Sequence, residues 1–284
     1  MFGSHLSIAG GLHNALLKAE AYGMDTVQIF NKSQQQWRAK PLTDADIKLW
    51  RDNVKRLKFS KTVSHCSYLI NVGSPDEALR KKSLDSLIEE HQRCDRLGIT
   101  YLVMHPGAHC GDGEPRCLGH IAEALNQVHR IVPDTKLITC LEITAGQGTC
   151  VGHRLEQLAQ IMEHVEQKKR MGVCLDTAHL FAAGYDFRGP LYQTFRDEIA
   201  RTIGLRSVKV WHLNDSKKEL GSRVDRHDHI GEGKIGLEGF RPIVNDAAWD
   251  SVPKMLETPK DGQAPDGRDW DLQNLERLKS LIGS

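Results

Sequence analysis

Short apolar runs alternate along the chain with longer stretches of helical periodicity. The apolar runs predict eight strands, at residues 2–7, 26–30, 62–65, 101–105, 137–142, 172–176, 208–212 and 254–257. Between most of them, apolar residues recur every three or four positions, which predicts helices at residues 15–22, 47–57, 84–97, 121–132 and 155–165. Eight strand–helix units in 284 residues fit an α/β protein with a (β/α)8 TIM barrel, which takes about 250 residues plus loop insertions. A doubly wound open sheet is the structural alternative.

Nothing in the sequence marks a domain boundary. We find no linker rich in Pro, Gly or Ser, no low-complexity tract and no internal repeat. We therefore predict one catalytic barrel domain over residues 1–284. The polar connection at residues 214–236 exceeds the usual loop length, so we expect it to have a function.

Composition narrows the class of protein but not its partners. Lys and Arg total 38 against 37 Asp and Glu, so nucleic-acid binding would need a local basic surface. The seven cysteines contain no C-x-x-C pair, which argues against a disulfide framework and against a thiolate zinc site. With no secretory leader pattern and no window of about 20 apolar residues, we expect a soluble cytoplasmic protein without a membrane partner.

Ligand-type side chains stand at the end of six strand candidates. They are His65, His105, Glu142, Asp176, His212 and Glu257. A single His or Glu at such a position is usually a solvated loop residue, but strand ends converge on one face of a barrel, where active sites lie. Imidazole and carboxylate ligands suit Zn²⁺ or Mn²⁺, and a catalytic zinc site keeps a position open for water. The pattern predicts a metal-dependent hydrolase.

Two further clusters indicate more than one metal ion. His179 follows Asp176 closely, and Asp225 and His227 lie two residues apart in the long connection. His229 is a rival to His227, and spacing alone does not choose between them. Residues 231–236 match G-x-G-x-x-G, yet they follow a charged loop instead of an apolar strand, so we predict a turn there.

Six motifs in fixed order carry a family resemblance. They are His-Pro-Gly at 105–107, Leu-Glu-Ile-Thr-Ala-Gly-Gln-Gly at 141–148, Asp-Thr-Ala-His at 176–179, His-Leu-Asn-Asp-Ser-Lys at 212–217, Arg-Val-Asp-Arg-His at 223–227 and Leu-Glu-Thr at 256–258. Over essentially the whole chain, the sequence resembles the endonuclease IV family. The resemblance implies a zinc-dependent phosphodiesterase of DNA base-excision repair that cleaves 5′ to abasic sites and leaves a 3′-hydroxyl. The resemblance leaves open the balance between cleavage at abasic sites and removal of 3′ blocking groups.

The same resemblance implies about three zinc ions per chain, with Mn²⁺ as an alternative. Their implied ligands are His65, His105 and Glu142 for the first, Glu142, Asp176, His212 and Glu257 for the second, and His179, Asp225 and His227 for the third. Glu142 would bridge two ions, Glu142 and Glu257 would be the catalytic carboxylates, and His227 is preferred over His229.

The family likeness also implies a partner, double-stranded DNA with abasic sites, bound by a monomer. Gln35, Tyr68 and Leu69 resemble the DNA-facing residues that bend the duplex and flip the damaged nucleotide; simple loop packing is the alternative. His5 and His109 are weaker candidates for supporting contacts at the same face.

The sequence departs from the family pattern at three supporting positions, although all nine ligand positions are intact. Ile143 stands where Asn is usual, Ala178 where Cys is common, and Gln35 where relatives can have Arg. The leading alternative is a sugar isomerase or epimerase of the xylose isomerase-like barrel group, which needs fewer ligands. A non-catalytic metal-binding module is a third hypothesis, disfavoured because structural zinc sites are closed.

Overall fold

The computed structural model describes residues 1–283 and contains an eight-stranded parallel barrel. Its strands are β1 Phe2–Ser4, β2 Gln28–Phe30, β3 Val63–His65, β4 Tyr101–Met104, β5 Ile138–Glu142, β6 Met171–Asp176, β7 Val208–His212 and β8 Lys254–Leu256. They pair in the order β1-β8-β7-β6-β5-β4-β3-β2, and a parallel bridge between His5 and Gln28 joins the two ends. The predicted (β/α)8 TIM barrel is confirmed. All eight predicted strands occur, although most are shorter than their apolar runs.

Helices cover the outside of the barrel. They are α1 His13–Ala21, α2 Asp44–Arg56, α3 Glu77–Leu97, α4 Glu114–Ile131, α5 Leu155–His164, α6 Thr177–Ala183, α7 Tyr192–Thr202, α8 Arg241–Asn245 and α9 Trp270–Ser280. Helix α3 begins seven residues before the predicted start, because its first turns are polar and Asp76 caps them by accepting a hydrogen bond from the Leu79 N–H. Within residues 1–283, no helix is long and apolar enough to cross a bilayer.

Side-chain alternation along the strands decides which residues reach the inside of the barrel. A separate core cluster contains Val63, Tyr101, Val103, Cys140, Cys174, Val210 and Met255. Their strand neighbours, such as Leu102 and Leu141, belong instead to the larger core between barrel and helices. Because successive side chains point to opposite faces, residues two positions beyond the inner cluster continue its inward row at the carboxyl ends of the strands.

Two short antiparallel sheets of two strands each extend the carboxyl end of the barrel. Gly107–Ala108 pairs with Cys150–Val151, and Asp215–Ser216 pairs with His227–Asp228. The second pairing folds the long 214–236 connection back toward the strand ends. It thereby brings His227 close to residues that are far away in sequence.

Candidate metal centre

Glu142 lies at the middle of the carboxyl end of the barrel, and its side chain is fully buried. Its Oε2 is 2.9 Å from His65 Nε2 and 3.2 Å from His105 Nε2. Its Oε1 is 2.9 Å from His212 Nδ1 and 3.4 Å from His179 Nδ1. One carboxylate therefore faces four imidazoles, two on each oxygen, an arrangement suited to a ligand shared by two ions.

His212 joins Glu142 to two further carboxylates. Its Nδ1 is 3.1 Å from Glu257 Oε2 and 3.8 Å from Asp176 Oδ2. The ligand atoms of these four side chains lie within 4.8 Å of one another, as do those of His65, His105 and Glu142. The first two ligand sets implied by the sequence are thus brought together.

The third implied set gathers at the edge of the same face. His179 Nε2 is 3.2 Å from Asp225 Oδ2, and His227 Nε2 is 3.4 Å from Asp225 Oδ1. The two Nε2 atoms of His179 and His227 lie 3.4 Å apart. Asp176 Oδ2 is 3.7 Å from His227 Nε2, so Asp176 stands between the second and third sets.

Hydrogen bonds fix which ring nitrogen of each histidine faces the cluster. Three rings lie with Nδ1 beside a backbone carbonyl: His65 at 2.7 Å from Cys66 O, His179 at 2.9 Å from Ile143 O and His227 at 3.1 Å from Glu257 O. Because a carbonyl only accepts, Nδ1 carries a hydrogen, and Nε2 is the nitrogen that can offer a lone pair to a metal once it has lost its own proton. His212 is reversed, since its Nε2 donates to Gln28 Oε1 at 2.9 Å and its Nδ1 faces the carboxylates. Such pinned tautomers are typical of metal ligands.

The cluster holds opposite charges together. Burial opposes the charged form of Glu142, but His212 and His105 outweigh burial and hold the pKa of this carboxyl well below its usual range. Burial likewise opposes charge on His179, yet Asp176 and Asp225 raise the pKa of its imidazole well above the usual value. Without an ion, His179 therefore retains a proton that a metal would displace.

Comparisons with known proteins give the family. Residues 16–281 match a family model described as a xylose isomerase-like TIM barrel. The "Probable endonuclease 4" of Chloroflexus aurantiacus is 45% identical over an alignment 284 positions long, which covers 99% of this chain and 98% of that protein. The chain belongs to the endonuclease IV family. The crystal structure of endonuclease IV from Thermus thermophilus matches with a TM-score of 0.86 and 35% identity, covering 99% of this chain and 98% of that one.

The barrel itself is more widely shared. A D-tagatose 3-epimerase-like protein of known structure matches with a TM-score of 0.73 at 19% identity, over 99% of this chain and 96% of that one. This likeness shows the fold alone.

Two supporting residues at the centre were not predicted from the sequence. Gln28 Nε2 donates to Glu257 Oε1 at 2.5 Å. Asn214 Nδ2 donates to Asp176 Oδ2 at 2.6 Å, and its Oδ1 accepts from the Glu257 N–H at 2.7 Å. The available signal for Gln28 was a lone polar residue inside the apolar run 26–30.

The histidines that the sequence left in doubt now have distinct positions. His5 Nδ1 is 3.0 Å from Glu257 Oε1, beside the cluster. His109 Nδ1 accepts from the Gly111 N–H instead. The ring of His229 stacks on Trp270, with centroids 3.6 Å apart and planes 7° apart, whereas His227 faces His179. This geometry favours His227 as the ligand.

The G-x-G-x-x-G match is a loop wrapped around a buried carboxylate. Asp215 accepts hydrogen bonds from the backbone N–H groups of Gly231, Ile235 and Gly236 at 2.9, 2.9 and 3.2 Å. These donors are already satisfied by protein, so the loop offers no phosphate cradle.

A cavity of about 600 Å³ opens beside the cluster, and Gln35, Tyr68, His227 and Glu257 line part of it. Tyr68 is 56% exposed, and its ring centroid lies 5.2 Å from that of His65 and 5.5 Å from that of His105. Leu69 is half-buried next to it. Gln35 and Tyr68 line the cavity that would receive a substrate, whereas Leu69 is not one of its lining residues.

An adjoining cavity of about 380 Å³ is lined by Arg38, Lys40 and Arg93. This is a local concentration of positive charge that the net charge of +1 conceals.

Two departures from the family pattern lie in the wall of the centre. Ile143 and Ala178 are both buried, 0% and 2% exposed. Ile143 reaches His179 through its backbone carbonyl, a contact that does not depend on its side chain. The contact that orients His179 at this position is therefore independent of the residue type at position 143.

Proposed function

We propose that this endonuclease is a zinc-dependent AP endonuclease of base-excision repair, which hydrolyses the phosphodiester 5′ to an abasic site in double-stranded DNA and leaves a 3′-hydroxyl. The observation that carries the proposal is the buried Glu142 carboxylate facing four imidazoles beneath an open cavity. The likeness to relatives named endonuclease 4 suggests the substrate. We extend the proposal to 3′ blocking groups, since their removal breaks the same kind of bond.

The donor set fits a cluster of about three Zn²⁺ ions, with Mn²⁺ as an acceptable substitute. Each imidazole turns one ring nitrogen toward the carboxylates, Glu142 and Asp176 are fully buried, Asp225 is partly exposed, and the set is open to a cavity on one side. The proposed ligands are His65, His105 and Glu142; Glu142, Asp176, His212 and Glu257; and His179, Asp225 and His227. Divalent ions in such a site lower the pKa of water and offset charge on the attacking and leaving oxygens.

The two catalytic carboxylates have different tasks in this proposal. Glu142 divides its oxygens between two ligand groups and so sets their spacing. Glu257 keeps Oε2 toward His212, while Gln28 and His5 hold its Oε1. Its negative charge is therefore fixed at the edge where the cluster meets the cavity, in position to orient the attacking group.

The loops around the cavity would receive the DNA. Tyr68 and Leu69 would fill the space left by a displaced nucleotide, with Gln35 supporting the bent duplex. Arg38 and Lys40 would contact phosphates, a sequence-independent interaction that weakens with salt. We propose that the enzyme works on DNA as a monomer in the cytoplasm.

A cleavage assay on defined duplexes tests this function. The protein is incubated with an end-labelled duplex containing one abasic site, with the intact duplex as control, and a polymerase is added to the product. We expect one cut at the abasic site, extension by the polymerase, and no cut in intact DNA. Epimerisation of a ketose such as D-tagatose without DNA cleavage would instead support the sugar-epimerase alternative.

The DNA-facing loops are tested separately. Tyr68→Ala combined with Leu69→Ala should lower cleavage efficiency on the abasic duplex by about 10-fold or more, the effect of losing one stacking contact. Metal content should not change, because neither side chain is a proposed ligand. Leu191→Ala, at another exposed apolar residue, is the control. Equal cleavage by the double variant and wild type would show that these residues only pack within their loop.

A further inference from the structure

A buried ion pair lies beneath the two loops that border the cavity. Loop 32–38 follows β2 and carries Gln35, and loop 66–71 follows β3 and carries Tyr68. The side chains of Lys32 and Glu90 are each 1% exposed, with Nζ 4.0 Å from Oε1. Charged side chains are almost never buried this deeply unless they are paired.

Lys32 connects the far end of its own loop to helix α3. Its Nζ donates to the Trp37 carbonyl at 3.3 Å and to Ser86 Oγ at 2.8 Å. It also pairs with Glu89 at 3.0 Å. With its donors directed to these groups and its side chain buried, Lys32 is not a free contact for a phosphate, although it borders the cavity.

Glu90 connects the second loop to the same helix. Its Oε1 accepts from the Ser67 N–H at 3.1 Å, and Ser67 Oγ donates to the Gln34 carbonyl at 2.7 Å. Within the described residues 1–283, its Oε2 has no hydrogen-bond partner, so Lys32 is needed to offset its charge. Through these contacts the pair joins both loops, one residue away from Gln35 and one from Tyr68.

We propose that Lys32 and Glu90 are positioning residues that hold the two loops in the arrangement that receives the damaged duplex, a role that rests on the function proposed above. A buried ion pair adds little net stability, because the cost of desolvation offsets the attraction. Its contacts with backbone atoms of two loops nevertheless define their geometry. Neither residue is among the proposed ligands, so the pair should affect capture of DNA more than hydrolysis.

Steady-state kinetics on the abasic duplex test this role. Glu90→Gln and Lys32→Met are compared with wild type, and Lys81→Met, which removes an exposed pair with Asp85 on the same helix, is the control. We expect KM to rise about 10-fold in the first two variants, with kcat and metal content within about twofold of wild type. The control should match wild type in all three quantities. Lys32→Arg, which keeps the charge and the donors, should restore most of the affinity.

Three outcomes would overturn the proposal. Unchanged KM in both test variants, beside normal wild-type cleavage, would show that the loops hold their positions without the pair. Parallel loss of kcat and metal would show that the pair supports the metal centre instead. If Lys32→Met does not fold, Glu90→Gln decides alone on the same criteria. Wild-type protein that leaves the abasic duplex intact would overturn the proposed function and this role with it.

Discussion

Two groups of buried histidines in this molecule have opposite surroundings. The mouth histidines His65, His179 and His212 face carboxylates at the carboxyl end of the barrel, and the pKa of each imidazole is raised against the effect of burial. The layer histidines His91 and His129, on α3 and α4, are just as buried. Burial lowers the pKa of His91 to about 4 and, with Arg170, that of His129 to about 3.

The difference lies in the neighbours and not in the burial. His91 has neutral partners, the Leu87 carbonyl and Thr139 Oγ1, both at 2.8 Å. It stays uncharged and serves packing. Each mouth histidine lies within 3.4 Å of a carboxylate oxygen of Glu142, so it keeps a proton until a metal ion replaces it. In this molecule the candidate metal centre is the place where buried carboxylates meet buried imidazoles.

The largest expected effect comes from treatment with a chelator at acidic pH, which should act on the mouth histidines and not on the layer histidines. At acidic pH the mouth ligands bind protons, so a chelator should strip the metal and abolish cleavage of the abasic duplex. Zinc added at neutral pH should restore activity. Metal analysis and cleavage are measured on the same samples. Undiminished cleavage by protein shown to be metal-free would rule out metal catalysis.

A smaller effect should come from one carboxylate of the mouth. Glu257→Gln keeps the size of the side chain and removes its charge, so cleavage should fall by at least about 10- to 100-fold, as when a metal site loses a supporting contact. Folding should survive, as judged by the thermal midpoint. Glu163→Gln, an exposed residue of α5, is the matched control. Near wild-type cleavage by Glu257→Gln would refute the catalytic role given to Glu257.

The smallest effect on activity is expected from replacing a layer histidine. His91→Gln should lower the free energy of unfolding by about 1–3 kcal/mol through imperfect replacement of two buried hydrogen bonds. Cleavage per folded molecule and metal content should not change. Chemical denaturation and cleavage assays on one preparation check both. A loss of bound metal in His91→Gln would contradict the separate roles given to the layer histidines and the mouth histidines.

From the layer histidine His91 we also predict a pH dependence of stability. Because the pKa of His91 is about 4 in the folded protein, the unfolded chain takes up a proton that the folded chain refuses as pH falls from about 6.5 to about 4. The free energy of unfolding should therefore decrease over this window, by up to about 3 kcal/mol from this residue. His91→Gln should show a correspondingly shallower decrease. Parallel wild-type and variant curves would contradict the assigned pKa.

The sequence predicted the features that a single segment contains. An apolar run that ends in His, Asp or Glu is visible without a structure, so the eight strands and their terminal ligand-type residues could be located. The layer histidines show why position matters more than residue type, since His91 and His129 lie within helices α3 and α4 rather than at strand ends.

Features made by distant segments could not be predicted. Gln28 reaches His212 and Glu257 across 184 and 229 positions, and its role depends on those neighbours. Lys32 and Glu90 are ordinary polar residues of a loop and a helix until the fold buries them together. The start of α3 was missed for a local reason, because its first turns are polar.

The most direct test of the account is the metal content of three proteins: wild type, His227→Gln and His229→Gln. The two histidines are separated by one residue, yet His227 faces His179 and Asp225 while His229 stacks on Trp270. Plasma emission analysis should find about three zinc ions in wild type and in His229→Gln, and about one fewer in His227→Gln. One ion or none in wild type, or loss of an ion in His229→Gln alone, would contradict the proposed metal centre.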